Sequence, residues 1–317
     1  MVNYGLDFSF FGNRLSGTLE LFSKKSTDLI SADPIDQTTG FSEVTRNVAE
    51  IRGKGYDIQL NSTNLRGPVR WQTSIALSHV QDIVTSFYGT LSNTSDYVSN
   101  AGRNLTPVED KPFYSVFSYR FAGLDPQDGS PIGFLDGEHS KNYINILQDS
   151  LQNIAFHGSA LPPYYGFIRN NIGWKNFDLS FSIAYKFGAF FRKETINYAS
   201  LYSSWVSHGD YEKRWQKTGD EKHTNIPSMI YPADGNRDTF FALSDAVVFK
   251  SDLVRLQDVR IAYTWSPEIK RRQIRLNFYA TANNLGLIWT ANKAGLDPDY
   301  NNLPRAASFA FGLKANL

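Results

Sequence analysis

The eleven residues 177–187, FDLSFSIAYKF, alternate without interruption between two kinds of side chain. Phe177, Phe181 and Phe187 share one side of an extended chain with Leu, Ile and Tyr, whereas Asp, Ser, Ala and Lys share the other. A period of two residues indicates a β-strand with two different faces. The apolar face of this strand must meet either a protein core or lipid.

The composition excludes several classes of protein. Net charge is +1, with 32 basic and 31 acidic residues, so a nucleic-acid partner is not expected. Mean hydropathy is −0.36, and no run of apolar residues reaches the roughly 18 that a membrane helix needs. Mean hydropathy does not detect membrane β-strands, because their apolar residues alternate with polar ones. Because the sequence has no cysteine, disulfides, thiolate metal sites and cysteine nucleophiles are excluded.

Nine segments have the period and length of strands. They are 3–11, 14–25, 50–62, 68–83, 164–174, 177–188, 252–265, 273–284 and 306–316. The connections between them alternate in size. Those at 11–14, 64–67, 174–176 and 266–272 are short, and those at 26–49, 84–163, 189–251 and 285–305 are long. Tight turns on one side and long loops on the other are typical of outer-membrane β-barrels.

Aromatic residues at the strand ends favour lipid as the medium around the apolar face. Trp71, Trp174, Phe177, Tyr263 and Trp265 all lie near predicted turns, as the aromatic girdles of membrane barrels do. Strands of about ten residues also fit a tilted membrane span. The alternative is a soluble antiparallel sandwich or lipocalin-like barrel, in which the same alternation points inward.

The number of strands points to a larger barrel. Nine is an odd number, whereas bacterial single-chain barrels have an even number of strands. A sheet that does not close would also leave the backbone groups of its two edge strands unpaired in hydrocarbon. The residues after Met1, VNYGLDFSFFGNR, lack the features of a signal peptide and already alternate. We therefore expect the chain to be the C-terminal part of a longer barrel protein; the alternative is that the count of nine strands is wrong by one.

Segments along the whole chain resemble the C-terminal part of SusC/RagA-type TonB-dependent outer-membrane transporters. The similarity extends from Asn3 to Leu317, and one departure is Leu317, where such barrels usually end in an aromatic residue. The segments with the clearest likeness are NVAEIRGKGYDIQL (47–60), FAGLDPQDGSP (121–131), LPPYYGFIRNNIGWKNFDLSFSIAYKFG (161–188), EKRWQKTGDEKHTNIP (212–227) and ASFAFGLKANL (307–317).

This resemblance implies an all-β antiparallel transmembrane barrel of roughly 22 strands, of which residues 1–317 supply the last nine, with long extracellular loops and without the plug domain. It implies a location in the cell outer membrane and energised import of a glycan or an oligopeptide. The implied partners are a SusD-like surface lipoprotein, the TonB complex, the oligomeric ligand and outer-membrane lipid. No cofactor or bond-breaking activity is implied. Alternatives are a passive porin-like barrel and a soluble carbohydrate-binding β-domain.

The residues themselves give little sign of catalysis. Five scattered histidines match no hydrolase or metalloprotease motif. Two pairs of carboxylates, Asp125 with Asp128 and Asp297 with Asp299, are compatible with a glycosidase pair or a Ca²⁺ loop. Because Asp-Pro and Asp-Gly sequences favour tight turns, we interpret both pairs as turn residues. The chain is not expected to be an enzyme.

The segment 189–232 is the candidate ligand-binding loop, because it sets aromatic residues among Ser, Asp, Lys and His. Aromatic faces stack on sugar rings, and neighbouring polar groups bind hydroxyls. The predicted ligand-binding residues are Tyr202, Trp205, Tyr211, Arg214 and Trp215. Alternatively, these side chains pack the loop against itself or against a lid protein, an interpretation favoured for Arg214 and Trp215 because the family resemblance includes them.

Overall fold

The computed structural model describes residues 1–89, 93–102, 107–269, 272–300 and 305–316. Its strands, in chain order, are β1 (Val2–Phe10), β2 (Leu15–Pro34), β3 (Glu43–Arg66), β4 (Val69–Phe87), β5 (Ser115–Ser118), β6 (Phe121–Leu124), β7 (Pro131–Leu135), β8 (Glu138–Ser140), β9 (Ala155–Ser159), β10 (Tyr164–Trp174), β11 (Phe177–Phe187), β12 (Phe190–Arg192), β13 (Val248–Lys250), β14 (Leu253–Trp265), β15 (Glu268–Ile269), β16 (Arg272–Gln273), β17 (Arg275–Thr290) and β18 (Ser308–Asn316).

The α-helices are short: α1 (Thr94–Ser99), α2 (Tyr143–Leu147), α3 (Tyr198–Ser204) and α4 (Gly235–Ala242). Single 3₁₀ turns lie at Gln37–Thr39, Leu151–Asn153, Gly209–Lys213, Asp220–Lys222 and Asp245–Val247. Among the helices of the described residues, none is both long and apolar enough to cross a membrane.

Nine strands form one antiparallel sheet, which we call the wall. Their order is β1-β2-β3-β4-β10-β11-β14-β17-β18, so each strand lies beside the wall strand that precedes it in the chain. These are the nine segments predicted from the alternation, and that prediction is confirmed. Opposite residues share a face: Phe177 lies across from Trp174 on one side and from Tyr263 on the other. The apolar residues therefore line up in rows across the wall.

Four wall strands are longer than predicted, and one of them, β4, ends at Phe87 and not at residue 83. β2 and β3 remain paired from Leu15 opposite Ser62 to Pro34 opposite Glu43, so their connection is 35–42 and the long loop predicted at 26–49 is wrong. The ladder continues across register shifts near Ser26 and Leu29, which break the period of two. β17 likewise continues to Thr290, past the predicted end at 284.

The apolar face of the wall points outward and is not buried in a core. Phe311 is 83% exposed and Phe309 is 67% exposed. Phe181 and Phe309 belong to the same row, in which Phe181, Val259, Ala282 and Phe309 follow one another across four strands. These side chains do not converge on a dry interior, which contradicts the alternative of a soluble sandwich.

Two bands of aromatic side chains mark the ends of the apolar face. At the end with short turns, the ring centroids of Phe177 and Tyr263 lie 4.7 Å apart. At the other end His79 stacks on Tyr164 at 4.3 Å and approaches Tyr56 at 5.2 Å. On β10 the bands are ten residues apart, which at about 3.3 Å per residue and a tilt of roughly 40° spans about 25 Å, the height of a membrane barrel's apolar band.

The described residues of 93–163 and 189–252 form a second region, which we call the cap. It contains small sheets of β5 with β9, of β6 to β8, and of β12 with β13. Its core consists of buried side chains from distant parts of the chain: Tyr97, Val98, Phe117, Tyr119, Tyr143, Ile146, Ile154 and Phe240. Backbone hydrogen bonds join the cap to β4: Val84 N donates to Lys111 O at 3.0 Å, and Phe113 N donates to Asp82 O at 3.1 Å.

Candidate functional site

All five predicted ligand-binding residues lie in the cap, and helix α3 positions two of them. The Asn197 side chain caps this helix by accepting a hydrogen bond from Ser200 N at 2.7 Å. Trp205 ends the helix in the left-handed conformation, with φ of 55°, a backbone region that bulky residues rarely occupy. Its indole is 88% exposed. The helix end therefore presents a large apolar ring to solvent.

Tyr202, which is half-buried, and Tyr231, which is exposed, form an aromatic pair in the same segment as Trp205. Tyr202 lies in the last turn of helix α3, and Trp205 is the residue that follows the helix. The Tyr202 hydroxyl donates to Ile230 O at 2.9 Å, and its ring meets that of Tyr231 edge-on at 5.3 Å. Tyr231 is itself 83% exposed. We call Tyr202, Trp205 and Tyr231 the aromatic platform; Tyr231 was not among the predicted site residues, although it lies in the same segment.

Tyr211 and Arg214 form a separate pair. The Arg214 guanidinium lies 4.0 Å from the centroid of the Tyr211 ring, and its Nη1 donates to Tyr211 O at 2.8 Å. Both side chains are half-buried. The contact is a cation–π interaction, and it orients the arginine along the side of an open cleft.

Trp215 lies inside the cap and joins two of its segments. Only 8% of the residue is exposed, and its Nε1 donates to Glu221 Oε2 at 3.2 Å. The ring lies against Gly129, where an added Cβ would come within 2.4 Å of it. Glycine is therefore required at 129 for this close approach. The segments EKRWQKTGDEKHTNIP and FAGLDPQDGSP, which carry part of the family resemblance, pack together through this contact.

The open cleft beside Arg214 has a volume of about 1220 Å³ and carries charges of both signs. Asp210, which is 3% exposed, lies along one side of the cleft. Its carboxylate accepts hydrogen bonds from Lys193 Nζ at 2.6 and 2.7 Å and from Thr195 Oγ1 at 2.8 Å. Lys213 and Lys293 also line the cleft, and neither has an ion pair with another described residue. The structure thus places Arg214 in a polar cleft and Tyr202 and Trp205 on the aromatic platform.

The paired carboxylates are held in turns by cations. Asp125 and Asp128 both accept hydrogen bonds from Lys141 Nζ, at 2.7 and 3.1 Å, and each also accepts one from a backbone N–H two residues ahead. The hydrogen bond from Lys141 is the largest cause that lowers the pKa of Asp125. In the part of the chain that the structure describes, no group of three or more His, Asp or Glu side chains is suited to a metal ion.

The second pair of carboxylates fastens the loop after β17 to the polar face of the wall. Arg255 Nη2 contacts both oxygens of Asp297 at 2.6 and 2.7 Å and also Asp299 at 3.3 Å. Lys186 Nζ donates to Asp299 at 2.7 Å. Arg255 and Lys186 alternate with the apolar residues of their strands, so they lie on the face opposite to the aromatic bands. Both pairs of carboxylates are thus structural turn residues, as interpreted.

Comparison with known proteins gives consistent relatives. No family model matches the chain. It is 23% identical over 345 residues to the TonB-dependent receptor P39 of Formosa agariphila, covering 95% of this chain and 32% of that protein. It is 24% identical over 331 residues to the TonB-dependent receptor SusC of Bacteroides thetaiotaomicron, covering 98% of this chain and 31% of that protein.

Solved structures show the same fold. The RagAB peptide transporter superimposes with a TM-score of 0.71 at 19% identity, covering 98% of this chain and 34% of the matched chain. Its open-open state gives a TM-score of 0.73. The chain spans about a third of the length of the curated relatives it matches, and it matches their C-terminal part. The fold is that of the barrel of TonB-dependent transporters.

Proposed function

We propose that residues 1–317 form the C-terminal part of the barrel of an outer-membrane, TonB-dependent importer of oligomeric nutrients. The observation that carries this proposal is the wall, whose outward apolar face is bounded by aromatic bands about 25 Å apart. The similarity to SusC and to the RagAB peptide transporter supports an imported ligand that is a glycan or an oligopeptide.

The same relatives support the proposed partners. A SusD-like surface lipoprotein closes over the cap and traps the ligand against it, and the TonB complex supplies energy through parts of the longer protein. Outer-membrane lipid surrounds the apolar face. The two acidic pairs, in the cap and in the loop after β17, are engaged by Lys141, Arg255 and Lys186, which supports a transport role without bond cleavage.

The cap contributes the ligand contacts. The aromatic platform presents exposed rings of the kind that stack on sugars or on apolar peptide side chains. Arg214 and the polar cleft supply hydrogen-bond donors beside the Tyr211 ring. Trp215 keeps the two cap segments together and so acts on the ligand only through the shape of the cap.

Substitutions in the intact protein that carries this chain test the assignment. We expect Trp205→Ala and Tyr202→Ala to reduce uptake, or to weaken complex formation with the lipoprotein, while leaving the fold intact. Trp215→Ala should instead loosen the cap, because it removes a buried ring. Tyr88→Ala is the matched control, since Tyr88 is 60% exposed but lies outside the platform.

Unchanged uptake and unchanged complex formation in both platform variants would refute the platform as a contact surface. Energised import is tested separately from passive diffusion through a pore. Uptake should stop when an uncoupler collapses the proton gradient, and uptake that continues at the same rate would favour a passive porin.

A further inference from the structure

A second cavity lies where the cap meets the wall, well apart in sequence from the aromatic platform. Its volume is about 500 Å³, within the range of small-ligand sites. We call it the mouth pocket. Its lining is mainly apolar and aromatic and includes Val80, Asp82, Phe113, Tyr114, Pro163 and Tyr165.

The mouth pocket opens on the polar face of the wall. Val80, Asp82 and Tyr165 belong to the set of alternate residues that also contains Lys186, because Tyr165 pairs with Ser78 on one side and with Lys186 on the other. The cap closes the pocket from above. Val80 N donates to Pro163 O at 2.9 Å, and Ala160 N donates to Tyr114 O at 2.8 Å. A solute entering the barrel therefore passes this pocket.

The unneutralised charge in the pocket is negative. Lys186 Nζ is engaged by Asp299 at 2.7 Å, and Arg255 neutralises Asp297. Asp82 is exposed, and its carboxylate makes no ion pair or side-chain hydrogen bond with another described residue. Lys24 is the nearest cation in its row, two strands away beyond Gly53.

The backbone leaves room for this carboxylate. Gly53 lies directly opposite Asp82, and a Cβ added there would come within 2.4 Å of Asp82 Oδ1. The glycine thus leaves room for the carboxylate to lie over β3, on the side of β4 opposite to β10 and Tyr165. Phe113 and Tyr114 meet edge-on at 5.2 Å, which fixes the aromatic side of the pocket.

We propose that the mouth pocket is a ligand subsite for an oligopeptide that places an apolar or aromatic side chain among Phe113, Tyr114 and Tyr165 and its free terminal ammonium group on Asp82. The proposal rests on the proposed import function and narrows its ligand class. A carboxylate at one side of a pocket and aromatic rings at the other suit a ligand with an ammonium group attached to an apolar body, by charge-assisted hydrogen bonding to the carboxylate and by burial of the apolar body among the rings. A neutral glycan would leave the carboxylate without a counter-charge.

Binding to the purified intact protein in detergent, measured by isothermal titration calorimetry, tests this subsite. The probes are the tetrapeptide Phe-Ala-Ala-Ala, its N-acetylated form and maltotetraose. We expect the free peptide to bind about tenfold more tightly than the acetylated form, as for loss of one charge-assisted hydrogen bond. Asp82→Asn should remove that preference, and Phe113→Ala should weaken both peptides equally. Asp136→Asn, which changes an exposed turn carboxylate outside the pocket, should change nothing.

Equal affinity for the free and acetylated peptides would overturn the proposal, and so would a preference that survives Asp82→Asn. Maltotetraose binding more tightly than either peptide would also overturn it. These outcomes are separate from failure of the import function, which shows as uptake that does not depend on the proton gradient. A protein that imports a glycan under energisation but ignores the peptide terminus would refute only the subsite.

Discussion

Aromatic and aliphatic side chains are exposed on the apolar face of the wall but are buried in the core of the cap. On the wall, Phe311 and Leu313 of β18 are 83% and 58% exposed. In the cap, Phe240 is fully buried and stacks on Tyr143 at 5.6 Å. The wall has an apolar surface and a polar inner face, whereas the cap has an apolar core and a polar surface.

This difference assigns a separate source of stability to each region. The cap buries apolar area from water in the usual way. In the proposed membrane setting, the wall depends on backbone pairing between neighbouring strands and on lipid around its apolar face. A substitution should therefore affect one region strongly and the other weakly.

The largest expected effect is on the cap. Phe240→Ala removes a ring that contacts both Tyr143 and Tyr119, and loss of a buried phenylalanine costs about 3–5 kcal/mol. Hydrogen exchange should show loss of protection throughout the cap while the ladders of the wall stay protected. Phe41→Ala, at a residue 71% exposed, is the control. Equal loss of protection in wall and cap would show that the two regions unfold as one unit.

The next effect is on the wall. Ile183 lies near the middle of β11, on the apolar face opposite Ile168 and Leu256. Ile183→Arg should destabilise the protein in lipid bilayers by about 2–4 kcal/mol, as a charge at the bilayer midplane does. Ser180→Arg, on the polar face of the same strand, should cost less than about 1 kcal/mol. Urea unfolding in vesicles measures both, and equal costs would contradict the assignment of faces.

The smallest effect is a pH dependence confined to the cap. Burial, and then the charge of Arg192, lowers the pKa of His157, whose Nε2 lies 2.7 Å from Ser118 Oγ. Because the folded-state pKa is below the unfolded value, the contribution of His157 to stability is complete above about pH 6.5 and is lost as pH falls through the folded pKa. Burial raises the pKa values of Asp238 and Asp245 in the same region. These two carboxyl groups therefore favour the folded state more as pH falls, which opposes the effect of His157.

The variant His157→Gln isolates the histidine from those carboxylates. Protection of the cap from hydrogen exchange should decrease below pH 6.5 in the parent protein, and the part of this decrease that is due to His157 should be absent in the variant. An identical acid dependence in both proteins would show that His157 does not titrate as described.

The sequence predicts the wall well because the two faces of its strands carry different types of residue. The ends of strands are predicted wrongly where the side chains of the two faces no longer differ in this way. β2 and β3 continue past Lys25 because their backbones still pair, although the side chains no longer alternate. In β17 the register shifts near Gly286, and Asn284 has φ of 55°, so the alternation loses its phase before the strand ends. The unusual final residue, Leu317, lies outside the described residues.

The cap could not be predicted in the same way. Its elements are three to eight residues long, too short to show a period. Its core brings Tyr97 and Phe240 into one cluster, although these residues are far apart in the sequence and no local pattern connects them. The ligand-binding assignment remains a prediction, but the structure separates its members: Trp205 is exposed, and Trp215 is packed against Gly129.

Nitroxide accessibility along β11 tests the central claim most directly, because a chain without cysteine accepts single labels. Labels at Leu179→Cys, Phe181→Cys and Ile183→Cys in bilayers should relax with oxygen rather than with a water-soluble nickel chelate. Labels at Asp178→Cys and Ser180→Cys should show the reverse. An accessibility that fails to alternate, or apolar-face labels shielded from both reagents, would contradict a wall whose apolar face meets lipid.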